Sequence, residues 1–102
     1  MDVTAIGEIL IDLTQTGVNA AGVPQFSANP GGAPANVAVA AARLGAKSAF
    51  WGKVGDDGFG AYLRKVMADN GVDASGLRTG SQPNTMAVVS VDEAGERSFR
   101  FL

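Results

Sequence analysis

The chain opens on a dense apolar run, Val3, Ala5, Ile6, Ile9, Leu10, Ile11 and Leu13, interrupted by Gly7-Glu8. Its β-branched content predicts a strand over 3–13. The run is too apolar for a strand with one wet face, which points to a central parallel strand covered on both sides. Thr14 to Pro30 changes character, with Gly17, Asn19, Gly22, Pro24, Asn29 and Pro30 marking turns. A structureless connection of that length is uncommon, so a small structured excursion is expected there, with a short strand around 23–28.

Ala33 to Leu44 reads as a helix. Pro34 suits a first turn, and the alanines at 35, 38, 40, 41 and 42 are strong helix formers. They also keep one face small enough to lie close to a sheet. Gly45 supplies the stop. Lys47 to Val54 predicts a second strand carrying Phe50 and Trp51, both expected in packing roles. After the turn Gly55-Asp56-Asp57-Gly58, the stripe Tyr62, Leu63, Val66 and Met67 predicts a helix over 59–70. Val72 to Leu77 is expected to be a short strand.

This β-(excursion)-α-β-α-β order predicts an α/β fold with a parallel sheet. The last segment departs from it. Thr85 to Val91 and Arg97 to Leu102 flank Asp92-Glu93-Ala94-Gly95-Glu96, the pattern of a β-hairpin. Alternation places Arg97, Phe99 and Phe101 on one face of its second arm. A three-stranded parallel sheet with two helices leaves strand edges and one face bare. The expectation is therefore an N-terminal piece of a larger fold, or a product cut short.

Composition narrows the function classes. The 102 residues carry a formal net charge of -2, and the basic residues do not cluster, since Arg64-Lys65 is the one adjacent basic pair. A nucleic-acid surface is not expected. No apolar run approaches about 18 residues, so no membrane span is expected. Met1-Asp2-Val3-Thr4 lacks a basic n-region. The cytoplasm is the default compartment. Cysteine and histidine are both missing, which removes thiolate chemistry, the usual zinc sites and the commonest general base.

The candidate chemistry sits at Gly31-Gly32-Ala33-Pro34-Ala35-Asn36 and at Asp12. Glycines admit close approach to the backbone, a helix start presents free N–H groups, and an amide offers donor and acceptor together. With the carboxylate of Asp12 they outline a pocket for a polyhydroxylated small molecule. Each residue also has a plainer reading. Asp12 would serve as a turn cap, Gly31-Gly32 as a tight helix entry, and Asn36 as a solvated side chain. Asp56-Asp57 resembles a metal or acid–base pair, but an N-cap for the following helix is the stronger reading. Lys53 reads as solvated rather than phosphate-binding. Arg97, Phe99 and Phe101 fit a ligand wall and an edge strand equally well.

The segment GGAPANVAVAAARLGAKSAFWGKVGDDGFG (31–60) resembles the N-terminal signature of the PfkB carbohydrate kinases, of the ribokinase-like superfamily. AIGEILIDL (5–13) resembles the first strand of that family, and GEILIDL, GGAPANVA and GERSF are nearest to fructokinases. The resemblance implies a three-layer α/β domain with a small β-sheet lid, here from about 14–29 and 85–102. It implies phosphoryl transfer from ATP, with Mg²⁺, to a sugar hydroxyl. By residue, Asp12 and Asn36 would bind hydroxyls, and Gly31 and Gly32 would bring backbone to the sugar. Related lids pair into homodimers. The Gly-Ala-Gly-Asp segment that carries the family's catalytic base, anion hole and nucleotide site has no counterpart in 1–102. The chain alone is thus expected to be inactive. Two other classes compete. A Rossmann-type nucleotide module needs a Gly-x-Gly-x-x-Gly turn directly after the first strand, which is missing. A non-catalytic sugar-binding or dimerisation module needs only the lid.

Overall fold

The computed structural model describes residues 1–102 and holds two sheets. Nine elements follow in order: β1 (Val3–Ile6), β2 (Leu10–Val18), β3 (Pro24–Gly31), α1 (Ala33–Arg43), β4 (Ser48–Gly55), α2 (Gly58–Asp69), β5 (Leu77–Gly80), β6 (Met86–Val91) and β7 (Arg97–Phe101). A three-stranded parallel sheet runs β1-β4-β5, and a four-stranded mixed sheet runs β3-β2-β6-β7.

The opening run is therefore two strands, not one. It leaves the parallel sheet at Gly7, whose φ of 149° suits glycine, and where a Cβ would stand 2.8 Å from Pro34 Cγ. The apolar count over 3–13 is high because it sums two half-buried strands from different sheets. β1 is an edge strand with Ile6 73% exposed, and β4 is the central one. The excursion is a hairpin of β2 and β3, and its sheet begins at Leu10, ahead of the expected Thr14. Pro24 and Pro30 are tolerated because β3 is an edge. The strand expected over 72–77 starts later, at Leu77. Before it, only a single bridge joins Ala49 to Asp73. Asp73 turns the chain there by accepting from Ser75 N–H at 2.9 Å. That backbone bond, and then the Ser75 side chain, hold its carboxyl below the ordinary carboxylate range. Its small contribution is present at neutral pH and fades as pH falls through the folded value.

The helices and the terminal hairpin agree with the sequence pattern. Phe50 and Val54 point from β4 to one face of the parallel sheet. There they meet Ala35 and Ala38 of α1 and Leu63 and Met67 of α2 in one buried cluster. Ser48 joins them by donating its hydroxyl to Ala38 C=O at 2.7 Å. The opposite face is bare: Trp51, expected to pack as Phe50 does, lies over Gly76 and stays 53% exposed. The mixed sheet adds Ile11 to the cluster, with Leu13, Ala28 and Met86 packed around it. Its other face follows from register: Asp12 lies beside Asn29 on one side and Ala87 on the other, and Ala87 beside Phe101.

Glycines in α2 give a matched test. A Cβ at Gly60 would overlap Gly55 C=O, whereas Gly58 has open space around it. Gly60→Ala is expected to destabilise by about 1–3 kcal/mol through overpacking. Gly58→Ala is expected to stabilise by about 0.4–1 kcal/mol through the unfolded chain. Equilibrium urea unfolding of the two variants reads both signs.

Candidate functional site

The two helix starts differ in how their first N–H groups are met. At α2, Asp57 accepts from Gly60 N–H at 2.8 Å, an N-cap, as the sequence pattern favoured for this acidic pair. At α1, the N-cap residue is Gly32, and no side chain caps the helix. Pro34 brings no N–H to this turn, and Asn36 N–H is already spent on Gly32 C=O at 3.0 Å. The remaining first-turn donors of α1 have no intrahelical acceptor.

Asp12 stands next to that helix start. It is half-buried in β2, not at the end of a parallel strand, and pairs across the ladder with Asn29 of β3. A Cβ at Gly31 would overlap Asp12 Oδ2 and lie 2.8 Å from Leu10 Cδ1. Gly31 is thus bare backbone pressed against the carboxylate. Gly32 follows with φ of 103°, and a Cβ there would come within 2.5 Å of Glu8 C=O. Asn36, exposed on the first turn of α1, is tied to Gly32 through its backbone. The structure thereby brings Asp12, Gly31 and Gly32 into one junction and sets Asn36 on the helix that leaves it. The side chains of Asp12 and Asn36 take no part in the hydrogen bonds within the chain.

Phe99 and Phe101 rise from the same face of the mixed sheet as Asp12, their rings edge to face at 4.8 Å. Arg97 continues that face along β7. Lys53 is exposed, and its stem covers Gly80 so closely that a Cβ there would overlap it. It lines a groove of ≈ 330 Å³ with Glu8, Gly55, Gln82 and Asn84. This groove lies past the C-terminal ends of β1, β4 and β5, where open α/β sheets gather ligands. A larger, mostly apolar concavity of ≈ 640 Å³ lies between Ala28 and the start of α2; Asp57 lines it, and Asp12, Gly31, Gly32 and Asn36 do not. Asn84 is the residue that sequence reading missed. The one available signal was Pro83-Asn84 immediately before a strand, a pattern that marks a turn as readily as a clamp.

A profile of the pfkB family carbohydrate kinases matches residues 1–102. The chain belongs to this family. Fructokinase-1 of Oryza sativa subsp. japonica is 49% identical over 102 residues, a match that takes in 97% of this chain and 32% of the relative. The crystal structure of fructokinase from Xylella fastidiosa superposes with a TM-score of 0.88 at 42% identity, over 97% of this chain and 31% of that one. Fructokinase from Vibrio cholerae O395 in a fructose-, ADP- and calcium-bound form gives 0.81 at 42% identity, over 98% and 31%. The fold is thus the ribokinase-like α/β fold of these neighbours, and the chain spans about a third of their length. No helix is long and apolar enough to cross a membrane.

The contact of Gly31 with Asp12 sets a further test. Gly31→Ala is expected to cost about 1–3 kcal/mol. Asp12→Ala, by removing the obstructing oxygen, is expected to recover about 1 kcal/mol of it in a double-mutant cycle read by urea unfolding.

Proposed function

We propose that this chain is the sugar-binding part of an ATP-dependent kinase of the fructokinase type, which transfers the γ-phosphoryl group to a sugar hydroxyl. One observation carries the reading. A carboxylate without internal partners lies against bare glycine backbone at an uncapped helix start, in a chain 49% identical to a fructokinase. A polyol fits that junction, because its hydroxyls donate to Asp12 and accept from the free N–H groups of α1. Asn36 adds a donor and an acceptor from the same helix. Fixing the sugar in this way contributes to rate by orienting the attacking hydroxyl. Residues 1–102 form one N-terminal portion of the kinase domain in this reading. The mixed sheet, with segments 14–29 and 85–102, acts as a lid that excludes water.

The residues present do not suit the nucleotide's metal. No group of three or more His, Cys, Asp or Glu stands close enough together to hold an ion. The nucleotide site and the catalytic base are assigned to the Gly-Ala-Gly-Asp region that the family resemblance implies elsewhere in the full-length enzyme. The proposed compartment is the cytoplasm. One relative, a probable fructokinase-6 of Arabidopsis thaliana, is named chloroplastic, and imaging of a tagged full-length protein separates the two.

A second reading, a non-catalytic sugar-binding or dimerisation module, draws on the open edges of the mixed sheet at β3 and β7. Phe99 and Phe101 stand more than half exposed on that sheet. Light scattering tests the homodimer through these strands, and a monomer at all concentrations counts against it.

The full-length polypeptide with ATP, Mg²⁺ and fructose should turn over in a coupled assay, while the 102-residue chain alone should not exceed background. Absence of turnover with fructose, ribose and 2-keto-3-deoxygluconate alike removes the kinase reading. In the full-length enzyme, Asp12→Ala should raise the sugar KM by about 10- to 100-fold through loss of charged hydrogen bonds, with the ATP KM little changed. An unaltered sugar KM refutes the role given to Asp12.

A further inference from the structure

Three connections join the mixed sheet to the parallel sheet and its helices: Gly7–Ile9, Gly31–Gly32 and the segment 81–85. The first two are secured by main chain. Gly7 N–H donates to Trp51 C=O at 3.1 Å, and Gly32 rests on Glu8 C=O. The third is secured by a side chain. Asn84 is only 9% exposed, and its amide is used at both ends. Oδ1 accepts from Gly55 N–H at 2.9 Å, where β4 ends. Nδ2 donates to Asp57 Oδ1 at 3.0 Å, the same oxygen that caps α2.

Beyond Asn84 the path reaches the candidate site in two steps. Thr85 C=O accepts from Ile11 N–H at 3.0 Å, and Ile11 precedes Asp12. Ile11 and Asp12 then run alongside Met86 and Ala87. The ≈ 330 Å³ groove bounds the connection on one side and gives it room to shift if the amide is lost. Only an amide suits the place. A carboxylate keeps the bond to Gly55 but meets Asp57 without a proton, and an apolar side chain strands a buried N–H.

We propose that Asn84 is a positioning residue for sugar binding: its amide fixes the mixed sheet against the end of β4 and the start of α2, and so sets where the Asp12 carboxylate stands. The kinetic part of this inference rests on the sugar-kinase reading; the structural part does not.

The test uses the full-length polypeptide with Asn84→Ala, Asn84→Asp and, as a control that keeps an acceptor oxygen at position 57, Asp57→Asn. Both Asn84 variants should speed amide exchange at Ile11, and Asn84→Ala also at Gly55, by about tenfold or more, the loss expected of a buried hydrogen bond. They should raise the sugar KM about tenfold and leave the ATP KM in place. Asp57→Asn should leave both readouts near their wild-type values, because its amide oxygen still accepts from Gly60 N–H and from Asn84 Nδ2. Exchange at Ile11 unchanged in both Asn84 variants overturns the proposal. So does faster exchange with an unchanged sugar KM, or a parallel rise in both KM values. If the wild-type polypeptide phosphorylates no sugar, the kinase reading fails on its own, and exchange at Ile11 and Gly55 still decides the clamp.

Discussion

Where the excursion leaves the parallel sheet and where it returns, two stretches of main chain touch with no side chain between them. Gly32 lies so near Glu8 C=O that a Cβ would come within 2.5 Å of it, at a φ of 103° that side-chain-bearing residues rarely adopt. Sterics and backbone conformation thus demand the same residue independently. The β2–β3 hairpin is thereby closed at its base. Asp12, a few residues past the exit, and Asn36, on the first turn after the return, radiate from one point. A bulkier junction would separate the carboxylate from the helix start.

The two helices show how the same local feature serves different ends. α2 begins with a carboxylate cap, Asp57, whose oxygen is shared between Gly60 N–H and Asn84. That oxygen is consumed internally, so Asp57 has a structural task. α1 begins with glycine and proline, which bring no side-chain acceptor to its open donors. A helix end left without a cap beside an unpartnered carboxylate is a local cost to stability.

Much of this was legible in the sequence because the signals were local. Pro34 and the alanines fixed α1, the apolar stripe fixed α2, and alternation around Gly95 fixed the final hairpin and the common face of Arg97, Phe99 and Phe101. The glycine pair pointed to the junction by itself. What was misread depends on partners distant along the chain. Ile6 and Ile11 look alike in sequence, yet one faces outward from an edge strand and the other is fully buried. Nothing nearby announces that Gly7 moves the chain from one sheet to another. Trp51 and Phe50 are neighbours of similar apolarity on opposite faces of β4, and only the side on which the helices settle tells them apart. Asn84 could not be read as a clamp, since Gly55 and Asp57 lie far from it in the sequence.

The parallel pairing of β2 with β6 sets residue 11 beside residue 86, with both helices and most of the parallel sheet strung between them. Such a ladder closes a long loop before it returns any contact energy, and pairings of this kind form slowly. The ladders of the parallel sheet close shorter loops, since Val3 pairs with Ser48 and Gly52 with Leu77. The β6 side of Asp12's surroundings is therefore set by the longest-range ladder in the molecule, the one whose closure costs the most chain entropy.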